Sequence, residues 1–171
     1  MKTTRFDEID IPEEDIIKIP QGLVGFPEYK RFAILEHDKD SPFKWFQSLD
    51  DGSMAFVMIS PLIFNSDYMV EASEEEIADL EIKDPDDAVI SVIVTIPEDP
   101  QKMSANLKAP IIFNTKNKIG KQLILKDPKY QTKHYIIDEM KKHTKESLEN
   151  TQRPVASQNK NKKVIKESNV S

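Results

Sequence analysis

The 171-residue sequence contains no cysteine. Disulfides, thiolate zinc sites, iron–sulfur clusters and cysteine nucleophiles are therefore excluded together. No apolar run approaches the roughly 18–20 residues that a bilayer-spanning helix requires. The opening decapeptide, MKTTRFDEID, is acidic and lacks the apolar stretch of a secretory signal. These absences predict a cytoplasmic protein without a membrane-spanning helix.

The motifs of common catalytic and cofactor sites are also missing. The chain has three histidines, at His37, His134 and His143. Their spacing is not that of metal ligands. Neither a G-x-G-x-x-G fingerprint nor a P-loop occurs, and no serine lies in a nucleophile-elbow context. We therefore expect no catalytic residue, no bound metal and no cofactor.

Glycine is scarce, with four residues, and two of them lie in the segment GLVGFP, residues 22–27. The spacing is wrong for a phosphate-binding loop, and the segment has no lysine to grip a phosphate. We predict instead that the backbone turns here through positive φ angles, which glycine adopts readily.

The composition indicates one globular domain with a polar excess. Hydrophobic residues make up 38% and charged residues 32% of the chain, and the net charge is −6. Residues 140–171 carry eight basic and three acidic side chains, a net +5, which leaves −11 on residues 1–139. We predict a folded domain over 1–139 and a basic extension over 140–171. The extension is expected to form a short, weakly held helix at 138–148 and to be disordered from about residue 150.

Short apolar segments separated by turns fill the first 139 residues. The longest, AVISVIVTI at 88–96, is typical of a strand buried on both faces, and Asp51-Gly52 indicates a hairpin turn. The predicted strands are 32–35, 43–49, 54–59, 88–96, 111–113, 122–125 and 134–137. This spacing predicts a mainly β fold, a small antiparallel β-barrel-like or sandwich domain, with one short helix and a disordered C-terminal tail.

The one short helix is predicted to begin after Ser73 and to end near Ile82. The segment SEEE at 73–76 is a capping box, and three carboxylates in the first turn favour the positive end of the helix dipole. Ile77 and Leu80 are spaced so that both face the core.

This helix lies in the most acidic part of the chain, since residues 71–87 hold nine acids and one lysine. The carboxylates lack the alternation and the central glycine of an EF-hand loop, and so dense a run is usually hydrated rather than buried in a catalytic cleft. Two interpretations stay open: a face that attracts a basic partner, and a solvated face without a binding role. The basic extension suggests nucleic acid, but the acidic domain and the lack of aromatic residues among the tail lysines argue against direct binding.

Several segments together resemble the flagellar assembly factor FliW family over roughly residues 3–137. The matching segments are IPQGLVGF at 19–26, FQSL at 46–49, Ala55-Phe56 through Pro61, NLKAP at 106–110, and then Asn114, Gln122 and Tyr130. The resemblance implies a small β-barrel-like, non-enzymatic, cytoplasmic protein of motile bacteria. It also implies two partners: the translational regulator CsrA, whose repression of flagellin mRNA it relieves, and flagellin itself, which it binds in a chaperone-like way.

The implied partners suggest where each contact is made. An acidic surface docked beside the RNA path of CsrA would repel phosphate, and we assign this role to Glu71, Glu74, Glu75, Glu76 and Asp79. Flagellin's terminal segments are amphipathic helices, so an apolar contact is expected there. The candidates for it are Phe64 and Tyr68, although core packing is the favoured role for both. Seven other apolar side chains are assigned to the core or to turn packing: Phe6, Leu23, Phe26, Trp45, Phe46, Phe56 and Phe113.

Two features depart from the family pattern. The chain continues well beyond Tyr135, and its basic tail has the charge to fold back over the acidic segment; deleting residues 145–171 would then raise partner affinity at low salt. His134 lies where relatives often have arginine, so a partner contact made there would be altered. Two alternatives stay open, a flagellin chaperone without CsrA antagonism and an enzyme with carboxylates in a barrel mouth. The free protein is expected to be a monomer.

Overall fold

A computed structural model of the chain describes residues 1–36, 38–149 and 163–165, and these residues form strands, two α-helices and several single 3₁₀ turns. The strands are β1 Lys2–Thr3, β2 Asp7–Glu8, β3 Ile17–Lys18, β4 Arg31–Leu35, β5 Lys44–Ser48, β6 Ala55–Ile59, β7 Val70–Ala72, β8 Ala88–Thr95, β9 Ser104–Ala105, β10 Ile111–Asn114, β11 Ile119–Gln122, β12 His134–Tyr135 and β13 Lys163–Ile165. The helices are α1 Glu74–Ile77 and α2 Ile136–Glu149, and the 3₁₀ turns are Glu13–Asp15, Pro61–Ile63, Ala78–Leu80, Pro85–Asp87 and Pro100–Lys102.

Seven strands close into a barrel. They follow one another in the order β10-β11-β3-β4-β5-β6-β8, and β8 also pairs with β10, which completes the ring. The β11–β3 pair is parallel, and the other pairs of the ring are antiparallel. Closure leaves the ring without open edges, which is the usual way for a β domain to avoid edge-to-edge aggregation. The predicted mainly β, antiparallel barrel is therefore confirmed, with one parallel pair that local sequence patterns do not reveal.

The long β-branched segment becomes β8, the strand with the most neighbours in the sheet. It pairs with β10 near its start, with β6 in its second half, and with β9 at its end. Alternate residues from Ala88 to Val94 are buried in the larger core cluster, while Val89 and Ile93 pack against the smaller one. One face of this strand is buried and the other is half-buried, so the prediction of burial on both faces holds fully for the first face only.

Aromatic stacking dominates the smaller core cluster. The rings of Phe32 and Phe46 stack with centroids 4.2 Å apart, and Phe113 meets Phe46 edge to face at 5.5 Å. Of the side chains assigned to the core or to turns, Leu23, Phe46 and Phe113 are buried, and the remaining four are half-buried. These four are Phe6, Phe26, Trp45 and Phe56.

The glycine-rich segment forms the tight turn that its composition predicts. Gly22 and Gly25 have φ angles of 69° and 86°, and Leu23 bridges to Phe26 in antiparallel fashion. A Cβ on Gly22 would lie 2.5 Å from the backbone of Pro27, so space as well as conformation requires glycine there.

Two predicted strands are misplaced. The structure has β11 at Ile119–Gln122 instead of a strand at 122–125; Leu123 and Leu125 are still buried, and their N–H groups donate to Pro110 and Lys108 carbonyls outside a regular ladder. The strand predicted at 134–137 ends at Tyr135, and Ile136 is the first residue of α2. Tertiary contacts therefore override the local apolar pattern at both places.

The C-terminal extension contains the predicted helix, which is longer than expected, since α2 spans Ile136–Glu149. The disorder predicted from about residue 150 falls mainly on residues 150–162 and 166–171, which lie outside the described part of the chain. Residues 163–165 differ from that expectation because they form β13, which pairs with β7.

Candidate functional site

The acidic face consists of the exposed side chains of Glu71, Glu74, Glu75, Glu76 and Asp79. It is built on β7, α1 and the 3₁₀ turn Ala78–Leu80, which follow one another without a loop. Ser73 separates β7 from α1 with extended backbone angles, and its hydroxyl oxygen accepts the Glu76 N–H at 3.1 Å. This is the N-terminal cap that the capping-box sequence predicts.

Apolar side chains on the underside fix the orientation of this face. Ile77 is 4% exposed and Leu80 is fully buried, and both belong to the larger core cluster. Because these two side chains anchor one side of the short helix, the glutamates on its other side must point into solvent. The predicted core-facing role of both residues is confirmed.

Two asparagines hold the end of the acidic segment. The Leu80 carbonyl accepts from the Asn114 side-chain amide at 2.8 Å and from that of Asn117 at 3.0 Å. Glu81 then takes a left-handed conformation, with φ of 54°, that ends the turn. Carbonyls at a helix end have no partner within the helix, so these amides satisfy groups that would otherwise lose hydrogen bonds on burial.

Lys121 modifies the charge of the face. The Lys121 ammonium donates to the Glu76 carbonyl at 2.6 Å and forms an ion pair with Asp79 at 3.3 Å. A cation at this end of α1 is favourable because the last carbonyls of a helix carry partial negative charge. Asp79 thus has a specific intramolecular partner, and its negative charge is partly compensated, whereas Glu74 and Glu75 lie at the start of α1, away from this lysine contact.

A cleft of about 360 Å³ opens beside the face. One wall comes from β7 and α1, through Glu71, Ser73 and Glu76, and the other from residues 124–130, which include Lys126 and Lys129. Ile124 in the second wall is 57% exposed, so the cleft combines an apolar surface with both signs of charge. Such a lining suits a polypeptide better than a small reactant, which needs converging polar groups.

The two aromatic candidates for flagellin contact are core residues. Phe64 is 2% and Tyr68 is 1% exposed. The Tyr68 hydroxyl donates to the Leu107 carbonyl at 2.8 Å, its ring lies 4.6 Å from that of Tyr130, and burial raises the pKa of Tyr68. Their apolar surface is already used by the core cluster, so the structure supports the core role and corrects their listing as candidate flagellin contacts.

His134 is held inside the molecule rather than presented to a partner. Its Nε2 accepts the Gln131 N–H at 2.8 Å, which places the proton on Nδ1, 2.6 Å from a Glu139 carboxylate oxygen. Both side chains of this pair are largely buried, at 14% and 13% exposure. The histidine therefore links β12 to the first turn of α2, a structural role that the sequence pattern alone does not indicate.

Several residues that carry the family resemblance proved to be structural. The Gln122 side chain accepts the Val24 N–H at 2.7 Å and donates to the Ala109 carbonyl at 3.0 Å, so it ties the GLVGF and NLKAP segments together. Gln47 is fully buried, and its amide donates to three carbonyls in the β5–β6 turn. The sequence motifs thus mark the barrel framework rather than the acidic face.

Among the residues that the structure describes, no group of three or more histidine, cysteine or acidic side chains is arranged to hold a metal ion. Within the same residues, no helix has both the length and the apolar content needed to span a bilayer.

The fold and the face together define a small, closed β-barrel protein with one strongly acidic surface. The FliW protein family model matches residues 1–136. The chain belongs to the FliW family.

Named relatives agree with this assignment. The flagellar assembly factor FliW of Alkaliphilus metalliredigens is 43% identical over 148 residues, which cover 86% of this chain and 91% of the relative. That of Caldanaerobacter subterraneus is 44% identical over 142 residues, covering 82% and 95%. A crystal structure of the flagellar assembly factor FliW superimposes with a TM-score of 0.74 at 33% identity, and it covers 80% of this chain and 95% of that one.

Proposed function

We propose that this protein is a flagellar assembly factor that works by binding other proteins in the cytoplasm, as a monomer when free. Its first partner is the translational regulator CsrA, whose repression of flagellin mRNA it relieves, and its second is flagellin, which it binds in a chaperone-like way. The names of the relatives support the role in flagellar assembly. The observation that carries the CsrA assignment is the exposed acidic face, which is fixed to the barrel by Ile77 and Leu80.

The acidic face suits a protein that weakens RNA binding by electrostatic repulsion from beside the RNA site. CsrA contacts RNA through basic residues, and the four exposed glutamates place negative charge on one rigid surface. Charges act over about 8–10 Å at physiological salt, so a face docked beside the RNA path repels phosphate without entering the RNA site. Electrostatic attraction also speeds the encounter with a basic partner, and both effects weaken as salt rises.

Flagellin requires a different surface, since amphipathic helices bind through their apolar side. With Phe64 and Tyr68 buried, the cleft beside the acidic face is the surface that supports this contact. Its exposed Ile124 supplies apolar area, and Lys126 and Lys129 border it with positive charge. The cleft shares Glu71 and Glu76 with the acidic face, so we propose that the two partners exclude each other.

A charge-reversal pair tests the CsrA assignment. Glu74→Lys with Glu75→Lys should weaken CsrA binding by about tenfold at low salt and reduce RNA release, with little difference from wild type near 1 M salt. Glu13→Lys with Glu14→Lys is a matched control, because these exposed acids also occupy the first turn of a short helix. The measurements are titration calorimetry with CsrA and displacement of a labelled flagellin mRNA leader.

Equal effects of the two pairs would contradict a specific role of the acidic face. If wild-type protein captures flagellin but not CsrA in a pull-down, the protein is a flagellin chaperone without CsrA antagonism. Loss of flagellin binding in Ile124→Asp, with CsrA binding retained, would support the separate assignment of the cleft.

A further inference from the structure

The strand β7 lies beside the acidic face, and a segment of the chain's own tail pairs with it. Val70–Ala72 directly precedes Ser73, the N-terminal cap of α1. Among the described residues β7 pairs with β13 and with no barrel strand. An unpaired strand edge presents N–H and C=O groups that accept a further strand. The β7 edge is therefore a docking site for an extended segment.

The pairing is antiparallel and in a defined register. Lys163 lies opposite Ala72, Val164 opposite Glu71, and Ile165 opposite Val70. The register places the tail strand against the residues that immediately precede α1. A segment docked here consequently lies next to the start of the acidic face.

The sequence of the tail suits this position. Residues 162–166 read KKVIK, in which two adjacent β-branched residues favour an extended backbone and the flanking lysines add positive charge. Four lysines fall within residues 160–166, against five acids within residues 71–79. The family model ends at residue 136, so this strand belongs to a segment outside the matched domain.

We propose that residues 163–165 dock on β7 of the same molecule as a removable cover. In this state they occupy the strand edge next to the residues that precede α1. Thirteen residues, 150–162, separate the end of α2 from β13 in the sequence, and covalent linkage within one chain favours docking on the same molecule. A partner that binds the edge must itself supply an extended, basic, β-branched segment and displace the tail.

Cysteine cross-linking tests the contact directly, because the natural chain has no cysteine to interfere. Glu71→Cys with Val164→Cys places two thiols at directly opposed register positions. Oxidation with glutathione disulfide should give an intramolecular disulfide, seen as a monomer with increased gel mobility that reduction reverses. Glu71→Cys with Val155→Cys is the control, since position 155 lies in the same tail but outside β13.

The outcomes of the cross-linking separate three cases. A monomeric cross-link that exceeds the control supports docking within one molecule. A cross-linked dimer would show that the tail docks on a second copy and would overturn the proposal as stated. Equal cross-linking of the two pairs would overturn it as well.

A peptide competition tests whether the tail is a cover. The probe is a fluorescent peptide of residues 160–167, KNKKVIKE, added to the full-length protein. Val164→Pro removes a backbone N–H and disfavours a paired strand, so the edge should open and bind the peptide about tenfold or more tightly than wild type. Val155→Pro controls for proline elsewhere in the tail and should bind as weakly as wild type.

Equal peptide affinity of wild type and Val164→Pro would overturn the cover. This result does not depend on the proposed function, because neither CsrA nor flagellin is present. The consequence for CsrA rests on the proposed function and is measured separately with the same two variants. In one outcome, Val164→Pro changes peptide binding and leaves CsrA binding unchanged. That result would support the tail as a cover and would count against the acidic face as the CsrA contact.

Discussion

The interior of the barrel and the acidic face handle polar and charged groups in opposite ways. Inside, the Asn114 amide is 3% exposed and each of its polar atoms has a partner within the protein. On the face, the carboxylates of Glu74 and Glu75 are exposed to solvent. Buried polar groups must be satisfied or they destabilise the fold, whereas hydrated carboxylates are nearly neutral for stability and free to act on a partner. The buried groups thus help to determine the shape of the barrel. The exposed carboxylates determine the electrostatic field around the acidic face.

The largest loss of stability is expected from a substitution in the aromatic stack, which belongs to the interior side of this comparison. Phe46→Ala removes a fully buried ring that packs against Phe32 and Phe113, and should destabilise the protein by about 3–5 kcal/mol in urea unfolding. Should this variant not fold, Phe46→Leu should cost about 1–2 kcal/mol. Phe6→Ala, at a half-buried position, should cost less than Phe46→Ala, and an equal loss would contradict the distinction between core and turn packing.

A smaller loss of stability is expected where asparagine side chains hold the end of the acidic segment. Asn114→Ala deprives the Leu80 carbonyl of its amide donor and should destabilise the protein by about 2 kcal/mol. Asn117→Ala removes a second donor to the same carbonyl at a half-buried position and should cost less. Both values come from chemical denaturation. If Asn117→Ala proved the more damaging, the anchoring role of Asn114 would be wrong.

Asp50 is an exposed acid that accepts several hydrogen bonds, and its contribution to stability should depend on pH. Burial opposes its ionisation, but hydrogen bonds from the Lys30 and Arg31 N–H groups and from the Arg31 guanidinium lower the pKa of Asp50 below its ordinary value of 3.8. A lowered folded-state pKa means that the stabilisation is complete above about pH 4 and is lost as the pH falls through the folded-state pKa. Asp50→Asn should therefore be about 1 kcal/mol less stable near pH 7, with the gap closing below pH 4 in thermal unfolding. A gap that widened in acid would reverse this assignment.

The smallest effect on stability is expected on the face itself. Glu74→Gln with Glu75→Gln should change the free energy of unfolding by no more than about 0.5 kcal/mol per site, because both side chains are exposed. CsrA affinity should nevertheless fall, and more so at low salt. A loss of stability comparable to that of Asn114→Ala would break the comparison, since it would make the face part of the framework.

Local patterns predicted the elements whose causes are local. The Ser73 cap, the two core-facing residues Ile77 and Leu80, and the turn at Gly22 and Gly25 all appear as expected. The acidic face also follows from the sequence, because nine acids in a seventeen-residue segment cannot all be buried. The strand predicted at 122–125 was wrong, because its pairing depends on distant partners. Distant partners also decided between the two roles open to Tyr68, since its hydroxyl donates to the Leu107 carbonyl within the core.

The amino-acid sequence by itself determined the charge division between domain and tail, the mainly β character and the position of the acidic helix, because composition, capping and apolar spacing act within a few residues. Only the tertiary structure decided that β8 meets β10 to close the barrel, that β3 runs parallel to β11, that His134 is bound to Glu139, and that the tail strand pairs with β7. The physical reason is that these contacts join residues remote in the chain, and their partners are selected by the packing of the whole domain rather than by neighbouring side chains.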